Sequence, residues 1–135
     1  MTTILVVDDS ATIRRMIRVS LERLPGLTFR EAGTGLEAIE SLVVSPADLV
    51  VLDLNMPDMH GLDVLKFVRA QSSFANLPVV VLTTRGDDAS RQAALAAGAT
   101  LFLTKPFSPS ALAHDVRTLL GLSGAEAGAS PGQRS

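Results

Sequence analysis

The sequence predicts an α/β fold in which helices cover both faces of a doubly wound, five-stranded parallel sheet. Three observations support this prediction. Five short apolar runs, typical of buried parallel strands, alternate along the chain with segments of helical periodicity. The connections between the runs are so short that only local crossovers are feasible. The chain has 135 residues, of which 47% are hydrophobic, and this suits one domain with a buried core.

The predicted strands consist mainly of β-branched and other aliphatic residues. The four clearest strands span residues 4–7, 49–52, 79–82 and 101–103. A weaker run at residues 27–31 is predicted to be the second strand in chain order. Because a helical segment follows each run, all five strands are expected to lie parallel in one sheet.

The first three helices are predicted from apolar residues that recur every three or four positions. The stripes expected to face the sheet are, helix by helix, Ile13, Met16, Ile17, Leu21 and Leu24; Leu36, Ile39 and Val43; and Leu62, Leu65 and Val68. Pro25 and Gly26 are expected to end the first helix, and Gly61 precedes the third.

The fourth and fifth helices are predicted chiefly from their ends. Asp87 or Asp88 is a suitable N-cap for an Ala-rich fourth helix, which Gly98 closes. Ser108 is a suitable N-cap for the fifth helix because Pro109 follows at the first helical position. The fifth helix is expected to end near Gly121, and its apolar face consists of Leu112, Val116, Leu119 and Leu120.

One domain is predicted over residues 1–121, followed by a tail over residues 122–135. The tail consists almost entirely of small, polar or turn-forming residues, and it is interpreted either as a disordered tail or as the start of a linker. It is also too short to fold as a second domain. Function is therefore expected to reside in the α/β domain.

The composition excludes several classes of function. The chain has 12 basic and 14 acidic residues, a formal net charge of −2, and its scattered arginines argue against direct nucleic-acid binding. It has no Cys and only two His, which excludes thiolate nucleophiles and disfavours a zinc site. No apolar run is long enough to cross a membrane, and no basic stretch precedes the first run. A cytoplasmic monomer without membrane contact is therefore expected.

Polar side chains follow four of the five predicted strands. In chain order they are Asp8 and Asp9, Asp53, Thr83 and Thr84, and Lys105. Because ligands of a parallel sheet bind beyond the carboxyl ends of its strands, these side chains are expected to share one site. Three carboxylates that converge repel one another, and they either shift their pKa values or bind a cation. Oxygen ligands favour Mg²⁺ or Mn²⁺.

A carboxylate beside a divalent cation, an ammonium and a hydroxyl has the groups that phosphoryl transfer requires. Asp53 is predicted to be the nucleophile, since the third strand is expected to be central in the sheet. No general base is needed, because a carboxylate is already an anion. Lys105 is expected to stabilise charge on the phosphoryl oxygens, and Thr83 to supply a hydrogen-bond donor.

Four sequence blocks resemble the receiver domain of two-component response regulators. They read ILVVDDS, VVLDLNMPDMHGLDVL, PVVVLTT and AGATLFLTKPF, and the resemblance extends over roughly residues 3–120. Among receivers, the chain is most similar to single-domain chemotaxis regulators of the CheY type. The resemblance implies a flavodoxin-like (βα)5 fold and a signalling protein that is phosphorylated and dephosphorylated on its own side chain, rather than a conventional enzyme.

The resemblance also implies roles for individual residues at the metal site. Asp8 and Asp9 would be its acids, with Asp9 a direct ligand beside Asp53 and the backbone carbonyl of Asn55. Asp53 would be the phosphoacceptor.

A second group of implied roles concerns the switch. Thr83 would move onto the phosphoryl group, Phe102 would be the switch aromatic, and Lys105 would precede a cis peptide bond to Pro106. Chemotaxis regulators often have Tyr at the switch position, so Phe102 retains the packing change without the hydroxyl.

Three residues beside the predicted site are expected to tune the rate of phosphoryl loss. Asn55 and Arg85 flank the phosphoryl position, and Thr84 is bulkier than the Ala or Gly common in the family.

The resemblance implies two kinds of protein partner. A sensor histidine kinase or a histidine phosphotransfer protein would donate the phosphoryl group. A protein target would bind the face formed by the fourth helix, the fifth strand and the fifth helix. Two interpretations remain open for Arg14, Arg15 and Arg18 on the first helix, namely a kinase contact and a solvated face.

Three other functions compete with this prediction. Within the family, a phosphorelay intermediate competes with a stand-alone chemotaxis-like regulator. An Asp-nucleophile phosphatase requires a second Asp two positions after the first, whereas this chain has Asp8, Asp9 and Ser10. A flavodoxin-like FMN site is disfavoured because two carboxylates after the first strand would repel phosphate.

Overall fold

The computed structural model describes residues 2–121, which form five parallel strands and five α-helices. The strands are β1 (Thr2–Val7), β2 (Leu27–Ala32), β3 (Leu49–Leu52), β4 (Val79–Thr83) and β5 (Leu101–Thr104). The helices are α1 (Ala11–Leu21), α2 (Gly35–Val44), α3 (Gly61–Ala70), α4 (Asp88–Ala96) and α5 (Pro109–Leu120), and a short 3₁₀ helix spans Ser72–Phe74. The tail predicted for residues 122–135 lies outside the described residues.

The five strands form one sheet in the order β2-β1-β3-β4-β5. All four strand pairs are parallel, which confirms the predicted doubly wound α/β fold. β3 is central, as predicted. In register across four strands, Val7 lies opposite Leu52, Leu52 opposite Val81, and Val81 opposite Phe102. The segments that follow these residues therefore reach the same edge of the sheet.

Two hydrophobic clusters pack against the two faces of the sheet. Alternate residues of the strands enter different clusters, so that Val50 packs on one side and Val51 on the other. α2, α3 and α4 contribute buried residues to the first cluster, and α1 and α5 contribute to the second. No helix in residues 2–121 has the length and apolar character that a membrane span requires.

The predicted ends of the last two helices are confirmed. Asp87 is the N-cap of α4, where its carboxylate accepts a hydrogen bond from the Ser90 backbone N–H at 3.0 Å. Gly98 follows this helix with a φ of +109°, a conformation that favours glycine. Ser108 caps α5 through the backbone N–H of Ala111, at 3.3 Å.

The predicted apolar stripe of α2 was wrong at both ends. Leu36 and Val43 are 54% and 68% exposed, whereas Gly35, Ala38 and Leu42 are buried. The helix carries apolar residues at most positions, so periodicity alone fits more than one stripe.

The first helix also differs from its prediction. α1 ends at Leu21, four residues before Pro25, and Leu24 is buried from the following turn. Met16 was predicted to face the sheet, but it is 49% exposed. Ile17 and Leu21 bury the helix against the sheet instead. Met16 and the exposed Val19 therefore give α1 apolar surface on its outer side.

Candidate functional site

Three carboxylates meet at the carboxyl edge of the sheet. Asp8 follows β1 and Asp53 follows β3, and the residues that precede them are paired in register. Asp8, Asp9 and Asp53 each offer an oxygen atom that lies within 4.8 Å of the others. Asp8 and Asp53 are buried, with 1% and 4% of their surface exposed, whereas Asp9 is exposed to solvent. The sequence therefore predicted this convergence correctly.

The ammonium of Lys105 is the cation of the cluster. Its Nζ atom lies 2.7 Å from Asp8 Oδ2 and 3.5 Å from Asp53 Oδ2. The Lys105 backbone N–H donates to the carbonyl of Thr83 at 2.8 Å, which extends the contact between β4 and β5. The peptide bond from Lys105 to Pro106 is cis, as the resemblance implied. One ammonium thus faces three carboxylates, which leaves the cluster with an excess of negative charge.

Burial raises the pKa of the Asp53 carboxyl above its ordinary value, and the charge of Asp8 acts in the same direction. A hydrogen bond from the Asn55 backbone N–H and the Lys105 charge partly oppose this rise. The ionised form of Asp53 is therefore costly in the folded protein. Additional positive charge at the site would stabilise that form.

The donor set of the cluster fits a hard divalent cation. Its side-chain donors are carboxylate oxygens only, and the chain has no Cys that would favour a softer metal. Mg²⁺ keeps several of its waters and needs only one or two carboxylates. The exposed Asp9 and the buried Asp53 would be able to supply these, one beside solvent and one beside Lys105.

Gly61, the first residue of α3, allows this helix to begin against the end of β3. A Cβ atom at this position would lie 2.4 Å from the backbone carbonyl oxygen of Asp53 and 2.6 Å from Leu54 Cα. Both neighbours are backbone atoms, so a side chain would displace the strand end that carries Asp53. A glycine is therefore required here by a close approach.

The hydroxyl of Thr83 is fully buried beside the acidic cluster. Thr83 Oγ1 accepts hydrogen bonds from the Asn55 side-chain amide and from the Arg85 backbone N–H, each at 3.3 Å. Thr84 and Arg85 are exposed, and Arg85 Nε lies 3.7 Å from the Asp87 carboxylate. Thr83 thus connects the loop after β3 to the loop after β4.

A small cavity opens between these two loops. It has a volume of about 200 Å³, and Asn55, Arg85, Asp87 and His60 are among its lining residues. His60 is the N-cap of α3, where Nδ1 accepts from the Leu62 backbone N–H at 3.1 Å. Of the predicted site residues, Asn55 and Arg85 line this cavity, next to the acidic cluster.

Phe102 is buried on the side of the sheet that α2, α3 and α4 cover. Only 6% of its surface is exposed, and it lies in register with Val81, two residues before Thr83. The guanidinium of Arg91, on α4, lies over the ring at 5.9 Å from its centroid. Phe102 is therefore in contact with both the sheet and α4.

One part of the site was not predicted. Arg14 was interpreted as a kinase contact or a solvated side chain, but its guanidinium donates to the Asp8 backbone carbonyl at 2.6 Å. It also donates to Glu31 at 2.8 Å, and Arg18 binds the second oxygen of the same carboxylate. Only Arg15 of the three arginines is fully on the solvent side. Because Glu31 lies 17 residues from Arg14, on another element, no local sequence signal reveals the contact.

The fold, with its carboxylates and lysine at the carboxyl ends of parallel strands, defines a receiver-type signalling domain. Residues 4–117 match the family described as the response regulator receiver domain. The chain belongs to this family, and the predicted family and fold are confirmed. Domains of this family interact with histidine kinases and with downstream targets.

Individual relatives resemble the chain over most of its length. It is 44% identical to chemotaxis protein CheY1 of Helicobacter pylori over 120 residues, which cover 87% of this chain and 96% of the relative. The chemotaxis protein CheY homolog of Campylobacter jejuni is 38% identical over 127 residues, with coverages of 93% and 98%. The solved structure of chemotaxis protein CheY4 of Vibrio cholerae is similar with a TM-score of 0.81 and 35% identity, over 88% of this chain and 98% of that one. The chain is thus the receiver domain of a CheY-like response regulator.

Proposed function

We propose that this protein accepts a phosphoryl group on Asp53 from a histidine kinase or a histidine phosphotransfer protein, and that phosphorylation changes its affinity for a protein target. The observation that carries this proposal is the position of the Asp53 carboxylate. It is buried, lies 3.5 Å from the Lys105 ammonium, and shares a cluster with two further carboxylates.

The transfer step makes use of charges already in place. A carboxylate oxygen of Asp53 attacks phosphorus, the bond from phosphorus to the donor imidazole breaks, and that nitrogen leaves with the bonding pair. Lys105 stabilises the negative charge on the phosphoryl oxygens. Asp9, Asp53 and the Asn55 carbonyl would hold Mg²⁺ or Mn²⁺, with Asp8 as the further acid. The bound cation would neutralise charge between the two anionic reactants.

Phosphorylation is proposed to reach the partner surface through Thr83 and Phe102. In the present structure the Thr83 hydroxyl accepts hydrogen bonds from two loops. When it donates to a phosphoryl oxygen instead, it moves towards Asp53 and draws the loop after β4 with it. Phe102 packs beside this strand and under α4, so the face formed by α4, β5 and α5 repacks.

The lifetime of the phosphorylated form is proposed to depend on the residues at the mouth of the site. Asn55 and Arg85 line the cavity beside the cluster, and Thr84 is exposed next to Thr83. These side chains control how easily water reaches the acyl phosphate. They act on the rate of dephosphorylation rather than on the identity of the acceptor.

A chemotaxis-like role is the proposed biological setting. The relatives that match the chain over 96% and 98% of their own length are named as chemotaxis proteins, CheY1 and CheY homolog, and this supports the proposal. A role as a phosphorelay intermediate uses the same chemistry. The two differ in whether the phosphorylated form binds a target or passes its phosphoryl group on to a histidine.

The proposal is tested by the mass of the intact protein after incubation with Mg²⁺ and acetyl phosphate. We expect one phosphoryl adduct on the wild-type protein and on Asp63→Asn, a control in which an exposed acid of α3 is replaced. The adduct should be absent in Asp53→Asn and without divalent cation. An adduct that persists in Asp53→Asn, or no adduct on any variant with acetyl phosphate or a phosphorylated kinase, would overturn the proposal.

A further inference from the structure

The segment between β1 and α1 carries two of the three clustered carboxylates, but it restrains them unequally. The Asp8 side chain is held by Lys105 at 2.7 Å and by the Ser10 backbone N–H at 2.9 Å. The Asp9 side chain is exposed and makes no hydrogen bond to any other part of residues 2–121. The direction of the Asp9 carboxylate therefore depends on how its backbone is held.

Arg14 holds that backbone from the first turn of α1. Its Nη1 atom donates to the carbonyl oxygen of Asp8 at 2.6 Å, and this carbonyl belongs to the peptide group that joins Asp8 to Asp9. Because a peptide group is planar, fixing its carbonyl oxygen also fixes the direction of the Asp9 N–H. Together with the N-cap at Ser10, this contact restricts the backbone of Asp9 and thereby the direction in which its side chain points.

A second contact anchors Arg14 itself. Its Nε atom donates to Glu31 at 2.8 Å, and Arg18 binds the other oxygen of that carboxylate. The two arginines lower the pKa of the Glu31 carboxyl, so the anchor is ionised at neutral pH. With 18% of its side chain exposed, Arg14 has little freedom to leave this arrangement. The acidic segment is thereby tied to the end of β2.

We propose that Arg14 is a positioning residue for the cation site, which it serves by orienting the peptide group between Asp8 and Asp9. Arg14 does not bind the cation and does not contact the phosphoryl group. This inference rests on the proposed function, since it concerns the affinity of the same acidic cluster for Mg²⁺ or Mn²⁺. It assigns to one arginine of α1 a role separate from partner contacts.

The proposal and simple electrostatics predict opposite changes in cation affinity when Arg14 is removed. An arginine close to an acidic cluster repels a divalent cation, so its removal should strengthen cation binding if charge alone matters. If Arg14 positions Asp9, its removal should weaken binding although the site becomes more negative. Arg15 provides a matched control, because it lies on the same helix, carries the same charge and is exposed.

The experiment measures binding of Mn²⁺ by electron paramagnetic resonance of the free ion, and of Mg²⁺ by calorimetry. The variants are Arg14→Met, Arg14→Lys and Arg15→Met. We expect both Arg14 variants to bind about 10-fold more weakly than the wild-type protein, a loss typical of residues that orient metal ligands. Arg15→Met should bind as the wild-type protein does, or slightly more tightly. Arg14→Lys keeps the charge and most of the side chain, so it remains informative if Arg14→Met fails to fold.

A second readout needs no cation. Amide hydrogen exchange of Ser10, whose backbone N–H donates to the Asp8 carboxylate, should be faster in Arg14→Met than in Arg15→Met, whereas exchange in the central strand β3 should be equal in the two variants. The inference is overturned if the Arg14 variants bind Mn²⁺ as tightly as Arg15→Met. If the wild-type protein itself binds no divalent cation, the metal part of the proposed function fails first, and this inference fails with it.

Discussion

Lys105 and Asp8 form an ion pair with Nζ 2.7 Å from Oδ2, although the two residues are 97 positions apart. The distance from the same ammonium to Asp53 is 3.5 Å. In the present structure Lys105 therefore compensates the charge of Asp8 more directly than that of Asp53. The proposed nucleophile is the less compensated of the two buried carboxylates, and this arrangement has consequences for stability.

We predict that Asp53→Asn stabilises the folded protein by about 1 kcal/mol in the absence of divalent cations. Asn keeps the size of the side chain and removes a charge that burial makes costly. The measurement is urea unfolding at pH 7 in the presence of a chelator. Asp9→Asn, at an exposed position of the same cluster, should have a smaller effect. A less stable Asp53→Asn protein would contradict this view of the site.

Lys105→Met is predicted to destabilise the folded protein. It leaves Asp8 and Asp53 as buried acids without their ammonium, and breaking a buried ion pair in this way costs about 3 kcal/mol or more. Because the carboxylates remain, added Mg²⁺ should restore part of the lost stability. Thermal unfolding with and without Mg²⁺ measures both effects. The control is Lys66→Met, at an exposed position of α3. It should change neither the stability nor the effect of Mg²⁺ on the stability.

The ion pairs of Glu31 are predicted to make a pH-dependent contribution to stability. Hydrogen bonds from Arg14 and Arg18 lower the pKa of Glu31 in the folded state below its unfolded value of about 4.3. The stabilisation is therefore complete above the unfolded pKa and is lost as the pH falls through the folded pKa. The other charged residues around this carboxylate are Arg30, Glu37 and Glu40.

Glu31→Gln tests this contribution. At pH 7 we expect a loss of about 0.5–1 kcal/mol in the free energy of unfolding, since the pairs are partly exposed. The difference between the variant and the wild-type protein should shrink as the pH falls below the unfolded pKa of the glutamate. Urea unfolding over this pH series is the measurement. A difference that is constant with pH would mean that the carboxylate charge is not responsible.

Arg91 and Phe102 are predicted to be coupled energetically. A guanidinium over an aromatic ring contributes about 0.5–1 kcal/mol at an exposed site. A double-mutant cycle with Arg91→Met and Phe102→Leu should therefore yield a coupling energy of that size. If the two changes are additive, Arg91 merely lies near the ring. If they couple, α4 has a direct connection to the proposed switch residue.

Most of the fold and the acidic cluster could be predicted because their signals are local. Each strand is a short apolar run, and the residue that follows a strand lies at the carboxyl edge of a parallel sheet. This holds for any order of the strands in the sheet. Asp8, Asp53 and Lys105 follow from this rule without knowledge of their distances. The helix caps at Asp87 and Ser108 are equally local, since the cap and its partner lie within one turn.

Other features depend on contacts between distant segments and left no local signal. Asp58 is an example, because its carboxylate accepts hydrogen bonds from the backbone N–H groups of Gly35 and Leu36 at 3.0 and 3.2 Å, 23 and 22 residues away. The contact of Arg14 on α1 with Glu31 on β2, 17 residues away, is a second example. The exposure of Leu36 on α2 is a third, since only tertiary packing decides which of several apolar stripes is covered.

The acids of the cluster and Lys105 are far apart in the sequence, and this has a consequence for biosynthesis. The three acids lie within the first 53 residues, but the ammonium that completes the cluster belongs to residue 105, directly after β5, the strand that pairs with β4. A nascent or truncated chain that ends before this point carries Asp53, the proposed acceptor, without the lysine. The complete set of charges therefore forms only when β5 joins the sheet, and under the proposed function a chain that lacks β5 should not accept a phosphoryl group efficiently.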